Sequence, residues 1–176
     1  MADVLEILQE ALEIERQGEE FYREAAGSCQ EEVTRRTFLS LADQERLHAT
    51  YFQTFYEVMV QEKQWPPAGT VQLEKPNLPE MARQIFGEAV PDLALSGPEM
   101  CAHTHALYAT AMDKERASIA LYEGQAQAAE NQDQKAFFEF LVEKEKGHLA
   151  LLYNTQKYLD DPTHFFFDEE QWTVEG

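Results

Sequence analysis

The amino-acid sequence predicts an all-α protein, a four-helix bundle of two repeated helical hairpins joined by a long crossover. Three observations lead to this prediction. Glu, Ala, Gln, Leu and Lys dominate the composition, and most Pro residues lie between residues 66 and 98. Apolar residues recur at helical spacing in long segments on either side of that region. The two halves of the chain also match each other at an offset of 100 residues.

The apolar spacing predicts long helices at about residues 2–27, 31–63, 99–130 and 133–160. Only a few residues separate the first helix from the second, and the third from the fourth. Because short connections join antiparallel neighbours in helix bundles, we expect each of these pairs to form a hairpin.

The segment at about residues 64–98 is too long for a simple turn. Its first part is rich in proline, and NLPEMARQIFGEAV within it could form a short helix. A helix of about 28 residues is roughly 42 Å long, and this segment could run back along a bundle of that length. Two hairpins joined in this way form the ferritin-like variant of the four-helix bundle. The same connection could let two chains exchange hairpins.

We therefore expect one bundle domain over residues 1–160, followed by the tail 161–176. The aromatic stretch HFFF in the tail suggests that it docks on the bundle or on a partner subunit. The N-terminus carries acidic residues throughout and does not resemble a signal peptide. No apolar run approaches the length that crosses a membrane, so we expect a soluble protein.

The formal net charge of −19 argues against nucleic acid or an anionic membrane as a partner. Cations and basic proteins are the partners that such a charge attracts, although acidic helix faces also serve solubility. The two cysteines, Cys29 and Cys101, form no C-x-x-C motif. This excludes a zinc or iron site built from several cysteines, and it favours a reducing, cytoplasmic location.

Both hairpins carry the pattern E-x6-Y followed by F-x2-L-x3-E-x2-H. This pattern predicts a duplicated hairpin whose copies are related by a pseudo-twofold axis. Packing explains the matched aromatic and apolar residues, but it does not explain the matched carboxylates and imidazoles. The polar residues of the pattern are Glu15, Glu45 and His48 in the first half and Glu115, Glu145 and His148 in the second.

Each of these polar residues continues the apolar stripe of its predicted helix, so its side chain should point into the bundle. Four buried carboxylates would repel one another strongly. The neighbouring Arg16 and Arg116 lie about 100° around their helices from the adjacent Glu and cannot easily neutralise them.

Two divalent cations would neutralise this cluster. One Glu from each of two helices and a Glu-x-x-His from each of the others is the ligand set of di-iron and di-manganese carboxylate bundles. A shell rich in oxygen with two nitrogens favours iron or manganese over zinc. The predicted metal ligands are Glu15, Glu45, His48, Glu115, Glu145 and His148.

The segments EIERQGEEFY, LADQERLHA, DKERASIALY and LVEKEKGHL resemble the ferritin-like domain of rubrerythrins, over about residues 2–160. The resemblance implies that the six residues bind two iron ions, and that Tyr22 and Tyr122 hydrogen-bond to ligand carboxylates. It also implies a homodimer that reduces hydrogen peroxide to water, two Fe(II) ions giving one electron each. An external donor such as rubredoxin would then return the electrons.

The chain departs from the standard family in two ways. We expect no rubredoxin domain, since the sequence has two cysteines and no C-x-x-C motif, so a peroxidase of this kind would need a separate electron donor. Ser118 also stands where the family has a further Glu, which weakens the expectation of peroxide over dioxygen. Two alternatives therefore stay open: a ferroxidase that oxidises Fe(II) with dioxygen for iron handling, and a non-catalytic interaction protein that metal stabilises.

Other candidate residues have simpler interpretations. His103 and His105 could form a second metal site, but surface or cap positions at the start of the third helix are favoured. His164 is expected to be solvated. Cys29 and Cys101 are expected to be structural or exposed thiols, since no basic residues are arranged around them.

Overall fold

The computed structural model describes residues 2–67, 69, 71–74, 78–86 and 102–161. Within these residues the protein is all-helical and contains no strands, as the sequence predicts. None of the described helices is long and apolar enough to span a membrane. The helices are α1 (Ala2–Ser28), α2 (Glu32–Glu62), α3 (Leu78–Phe86), α4 (Ala102–Ala128) and α5 (Gln132–Asp160).

The four long helices form two hairpins, α1 with α2 and α4 with α5. The hairpins meet where α2 packs on α5 and α1 packs on α4. All four helices end within a few residues of the predicted bounds, which is the usual scatter of helix termini. The expected docking of the aromatic tail concerns residues 162–176, which lie outside the described residues.

Local sequence signals explain where α5 begins. The side chain of Asn131, at the N-cap, accepts a hydrogen bond of 2.9 Å from the backbone N–H of Gln134. The Gln134 side chain in turn accepts one of 3.1 Å from the backbone N–H of Glu130. Together these bonds satisfy donors that a helix start would otherwise leave unpaired.

Two apolar clusters fill the bundle, and residues matched by the repeat lie in opposite clusters. The first cluster contains Tyr22, Phe38 and Leu41, and the second contains their counterparts Tyr122, Phe138 and Leu141. A pseudo-twofold axis between the hairpins requires this distribution. The carboxylate and histidine residues of the repeat belong to neither cluster and lie in the same bundle interior.

The crossover runs from one cluster to the other, as expected of a connection that returns along the bundle. Near its start, Trp65 packs its ring 5.1 Å from that of Phe55 in the second cluster. Near its described end, α3 buries Ile85 in the first cluster, and the ring of Phe86 lies 5.1 Å from that of Tyr158. Residues 87–101, which complete the connection, lie outside the described residues.

Candidate metal centre

All six predicted ligands are buried in the interior of the bundle. None exposes more than 6% of its surface, although four of the six are carboxylates. Two helices, α1 and α4, contribute one Glu each, and α2 and α5 each contribute a Glu and a His one turn apart. The apolar stripes predict that six side chains point into the bundle, and all six are buried: Glu15, Glu45, His48, Glu115, Glu145 and His148.

These side chains form two overlapping groups that could hold a metal ion. Glu45, Glu115, Glu145 and His148 make up one group, and Glu15, Glu45 and His48 make up the other. Within each group, one ligand atom per residue lies within 4.8 Å of the others. Glu45 belongs to both groups, so its carboxylate could contribute a ligand atom to either of them.

The two imidazole rings are stacked at the centre of the cluster, with centroids 5.2 Å apart and planes inclined by 12°. The Nδ1 atoms of both rings face carboxylates. His48 Nδ1 lies 3.2 Å from Glu15 Oε2 and 3.0 Å from Glu145 Oε1. His148 Nδ1 lies 3.1 Å from Glu45 Oε1 and 3.1 Å from Glu145 Oε2. The Glu145 carboxylate therefore contacts both histidines.

Several buried polar atoms in this cluster lack a well-aligned hydrogen bond. Glu145 Oε1 and His148 Nδ1 have close charged neighbours but no hydrogen-bond partner, and the Nε2 atoms of His48 and His148 also have none. Unpaired buried polar atoms are costly and uncommon in native proteins. Oxygen and imidazole nitrogen atoms left in this condition are suited to coordinate a cation.

Two buried tyrosines connect the hairpins through this cluster. The Tyr22 hydroxyl on α1 donates a hydrogen bond to Glu115 Oε1 on α4. The Tyr122 hydroxyl on α4 donates one to Glu15 Oε1 on α1. Each tyrosine therefore holds the carboxylate of the opposite hairpin, and the repeat produces a pair of reciprocal bonds. Such bonds to a ligand carboxylate fix its orientation at a metal site.

The cluster shifts the pKa of its histidines upward. Burial alone would lower the pKa of His48, but the Glu145 and Glu15 carboxylates outweigh burial and raise the pKa to about 9. Burial is likewise outweighed at His148, where Glu145 and Glu115 raise the pKa well above its ordinary value. Without metal, the His48 imidazole therefore carries a proton near neutral pH, and a metal ion must displace the proton from any ring nitrogen that it binds.

The pKa values of the carboxylates are shifted in different directions by burial and by their charged neighbours. Burial, with repulsion from Glu15 and Glu145, raises the pKa of Glu45 well above its ordinary value. Burial also raises the pKa of Glu115, to about 7, against the opposing effect of His148. At Glu145, burial is outweighed by the two histidines, which hold the pKa well below its ordinary value. When all four carboxylates are ionised, bound cations would relieve the repulsion that remains among them.

The donor set therefore fits a pair of divalent cations. Carboxylate oxygens and imidazole nitrogens suit iron and manganese, and no buried arginine or lysine contacts these carboxylates within the described residues. As expected, Arg16 and Arg116 are exposed, and Arg116 pairs with Asp113 at 2.9 Å instead.

A model of the rubrerythrin family matches residues 6–155, a span that contains all six residues of the cluster and both tyrosines. The chain belongs to the rubrerythrin family. Comparisons with curated proteins and with solved structures return no significant match. The family resemblance drawn from the four sequence segments is thereby confirmed.

The other candidate residues lie away from the cluster. His103 and His105 are exposed; His103 Nε2 lies 3.2 Å from Ser28 Oγ, and His105 Nε2 lies 3.5 Å from Asp160 Oδ1. These are cap and surface positions at the start of α4, the interpretation that the sequence favours. Cys29 is buried. Cys101 and His164 lie outside the described residues.

Sequence reasoning did not single out Gly18. This residue lies one turn beyond Glu15 on α1, and its Cα faces the Glu45 carboxylate closely enough that a Cβ there would lie 3.0 Å from Glu45 Oε2. A signal was present: a glycine in the interior of a long helix weakens the helix and needs a packing reason. In the repeat, the matching position holds Ser118, which is partly buried.

Proposed function

We propose that this rubrerythrin-family protein is a non-haem di-iron oxidoreductase that reduces hydrogen peroxide, using electrons from an external donor protein such as rubredoxin. The observation that carries the proposal is the buried cluster of four Glu and two His residues, with a tyrosine bonded to a carboxylate of each half. Two bound Fe(II) ions would supply one electron each, and peroxide with two electrons and two protons gives two waters.

Each buried residue of the cluster would have a defined role at the metal centre. Glu15 and His48 would hold one ion, and Glu115 and His148 the other, with Glu45 and Glu145 contacting both halves. The hydroxyls of Tyr22 and Tyr122 would keep two of the carboxylates in fixed orientations as the ions change charge. Burial of the whole cluster would limit access to small oxidants and exclude bulk water.

Rapid mixing of the Fe(II)-loaded protein with hydrogen peroxide, and separately with dioxygen, tests this proposal. We expect peroxide to oxidise the iron at least tenfold faster than dioxygen at equal concentration. Glu145→Gln should abolish the fast phase, whereas Glu143→Gln, an exposed neighbour on the same helix, should leave it unchanged. Faster oxidation by dioxygen would refute peroxide reduction.

A second candidate is a ferroxidase that oxidises Fe(II) with dioxygen for iron handling. Two observations favour it: Ser118 replaces the further carboxylate of standard rubrerythrins, and the net charge of −19 attracts cations. Iron storage would require many irons per chain in a large shell. Gel filtration combined with Fe(II) loading distinguishes the candidates, because the peroxidase proposal predicts a homodimer that takes up two metals per chain. Manganese in place of iron, and a cytoplasmic location, stay predictions.

A further inference from the structure

Helix α1 passes unusually close to the Glu45 carboxylate at one residue, Gly18. A Cβ built on Gly18 would lie 3.0 Å from Oε2, 3.2 Å from Cδ and 3.3 Å from Cγ of Glu45. Carbon atoms rarely approach oxygen or carbon this closely, so a methyl group there would push the carboxylate away. By contrast, a Cβ built on Gly124, inside α4, meets nothing within 4 Å.

The Glu45 carboxylate has little freedom to move away. Its Oε1 lies 3.1 Å from His148 Nδ1, and only 6% of the residue is exposed. Protein interiors are close-packed and yield little to an added methyl group. A methyl group added at position 18 would therefore press on a carboxylate that already contacts the His148 imidazole.

Glu45 is also the residue that both candidate metal groups share. A displacement of its carboxylate would therefore disturb both metal positions, not one. The close approach requires glycine at position 18 but not at the matching position 118 of the repeat. If the hairpin crossing itself required glycine, the repeat would need one at position 118, where the chain has Ser118 instead.

We infer that Gly18 is a positioning residue of the metal centre: its missing side chain provides the space that the Glu45 carboxylate, common to both candidate metal groups, occupies. The inference rests on the proposed metal binding and goes beyond it, because it assigns a function to a residue that itself offers no ligand atom. It also explains why a long helix carries its poorest ordinary helix former one turn after a predicted ligand.

The contact is tested first without metal, by thermal unfolding of four variants. Gly124→Ala should raise Tm by about 2–4 °C, since Ala is the better helix former and the site is open. Gly18→Ala should give no such gain, or lower Tm. In a Glu45→Ala background, which removes the obstructing carboxylate, Gly18→Ala should recover the gain seen at Gly124. Equal gains from Gly18→Ala in both backgrounds would overturn the inferred contact.

The positioning role is tested by titrating the metal-free variants with Co(II), whose visible absorption reports its coordination. Gly18→Ala should weaken the affinity for both equivalents by roughly tenfold or more, the scale of effects from groups that orient metal ligands. Gly124→Ala should bind like the wild type. A Gly18→Ala protein with wild-type affinity overturns the inference. A wild-type protein that binds no Co(II) and no Fe(II) refutes the proposed function instead, while the unfolding comparison still decides the contact.

Discussion

The reciprocal tyrosine bonds make a prediction that can be worked out from the structure. Tyr22→Phe and Tyr122→Phe each remove one buried hydroxyl and leave the ring packing in place. The Glu115 or Glu15 oxygen that accepted the bond then remains buried without its donor. A hydrogen bond to a charged group contributes about 1.5–3 kcal/mol to stability. For a domain of this length, that loss corresponds to a fall in Tm of roughly 3–12 °C.

The assay is thermal unfolding of the metal-free protein, followed by circular dichroism in the presence of a chelator. It should be run at pH 8, above the pKa of about 7 of Glu115, so that this carboxylate is ionised. Tyr153→Phe is the matched control, because Tyr153 is 60% exposed and its hydroxyl should contribute little. Metal affinity should also fall, by about 10–100-fold in each variant.

The two variants test the pseudo-twofold relation as well as the bonds. Because each tyrosine reaches a carboxylate of the other hairpin, both substitutions should destabilise the protein by similar amounts. If both Phe variants unfold at the wild-type Tm and bind metal normally, the bonds do not stabilise the cluster, and the reasoning is wrong.

Three further predictions concern pH, the core and a helix cap. The pKa values of Glu115, about 7, and of His48, about 9, lie above their ordinary values of 4.5 and 6.5. Groups with raised pKa values stabilise the folded protein at low pH and lose that contribution as pH rises through the folded values. The Tm of the metal-free protein should therefore fall as the pH rises from 5 to 9.5. Metal affinity, measured by titration, should rise over the same range. If neither quantity changes with pH, the pKa assignments are wrong. Phe138→Ala empties a fully buried position between Trp65 and Tyr122, and should cost about 3–5 kcal/mol in denaturant unfolding. The partly buried Phe140 provides a milder comparison, and equal losses at both positions would argue against this packing. Asn131→Ala removes the side-chain cap of α5 and should cost about 0.5–2 kcal/mol in the same assay. Asn154→Ala, at a partly buried position inside α5, removes no cap and should cost less; equal losses from the two variants would show that the cap is not responsible.

The helical periodicity and the repeat were sufficient to predict the fold and the inward orientation of the cluster. Glu15 and Glu45 continue apolar stripes, and a stripe fixes which side of a helix is buried. The repeat at an offset of 100 residues then predicted that a pseudo-twofold axis relates the two hairpins. These are properties of single helices and of the chain order, which a sequence carries directly.

The contacts between helices could not be predicted in the same way. The sequence suggested that Tyr22 contacts a carboxylate, but it did not indicate that the partner, Glu115, lies on the opposite hairpin. It also gave no reason to connect Gly18 with Glu45, because their approach depends on how closely α1 and α2 pack. Distances of this kind depend on the fit of the complete core, which periodicity does not describe.

The central claim is that two duplicated hairpins build one buried centre for two metal ions. Elemental analysis of protein purified without oxygen tests it most directly, scored as moles of iron and manganese per chain. The account predicts two metal ions per chain, predominantly iron, and their loss in Glu45→Ala, which removes the carboxylate common to both groups. Little or no metal in the wild-type protein, together with unchanged stability of Glu45→Ala, would contradict it.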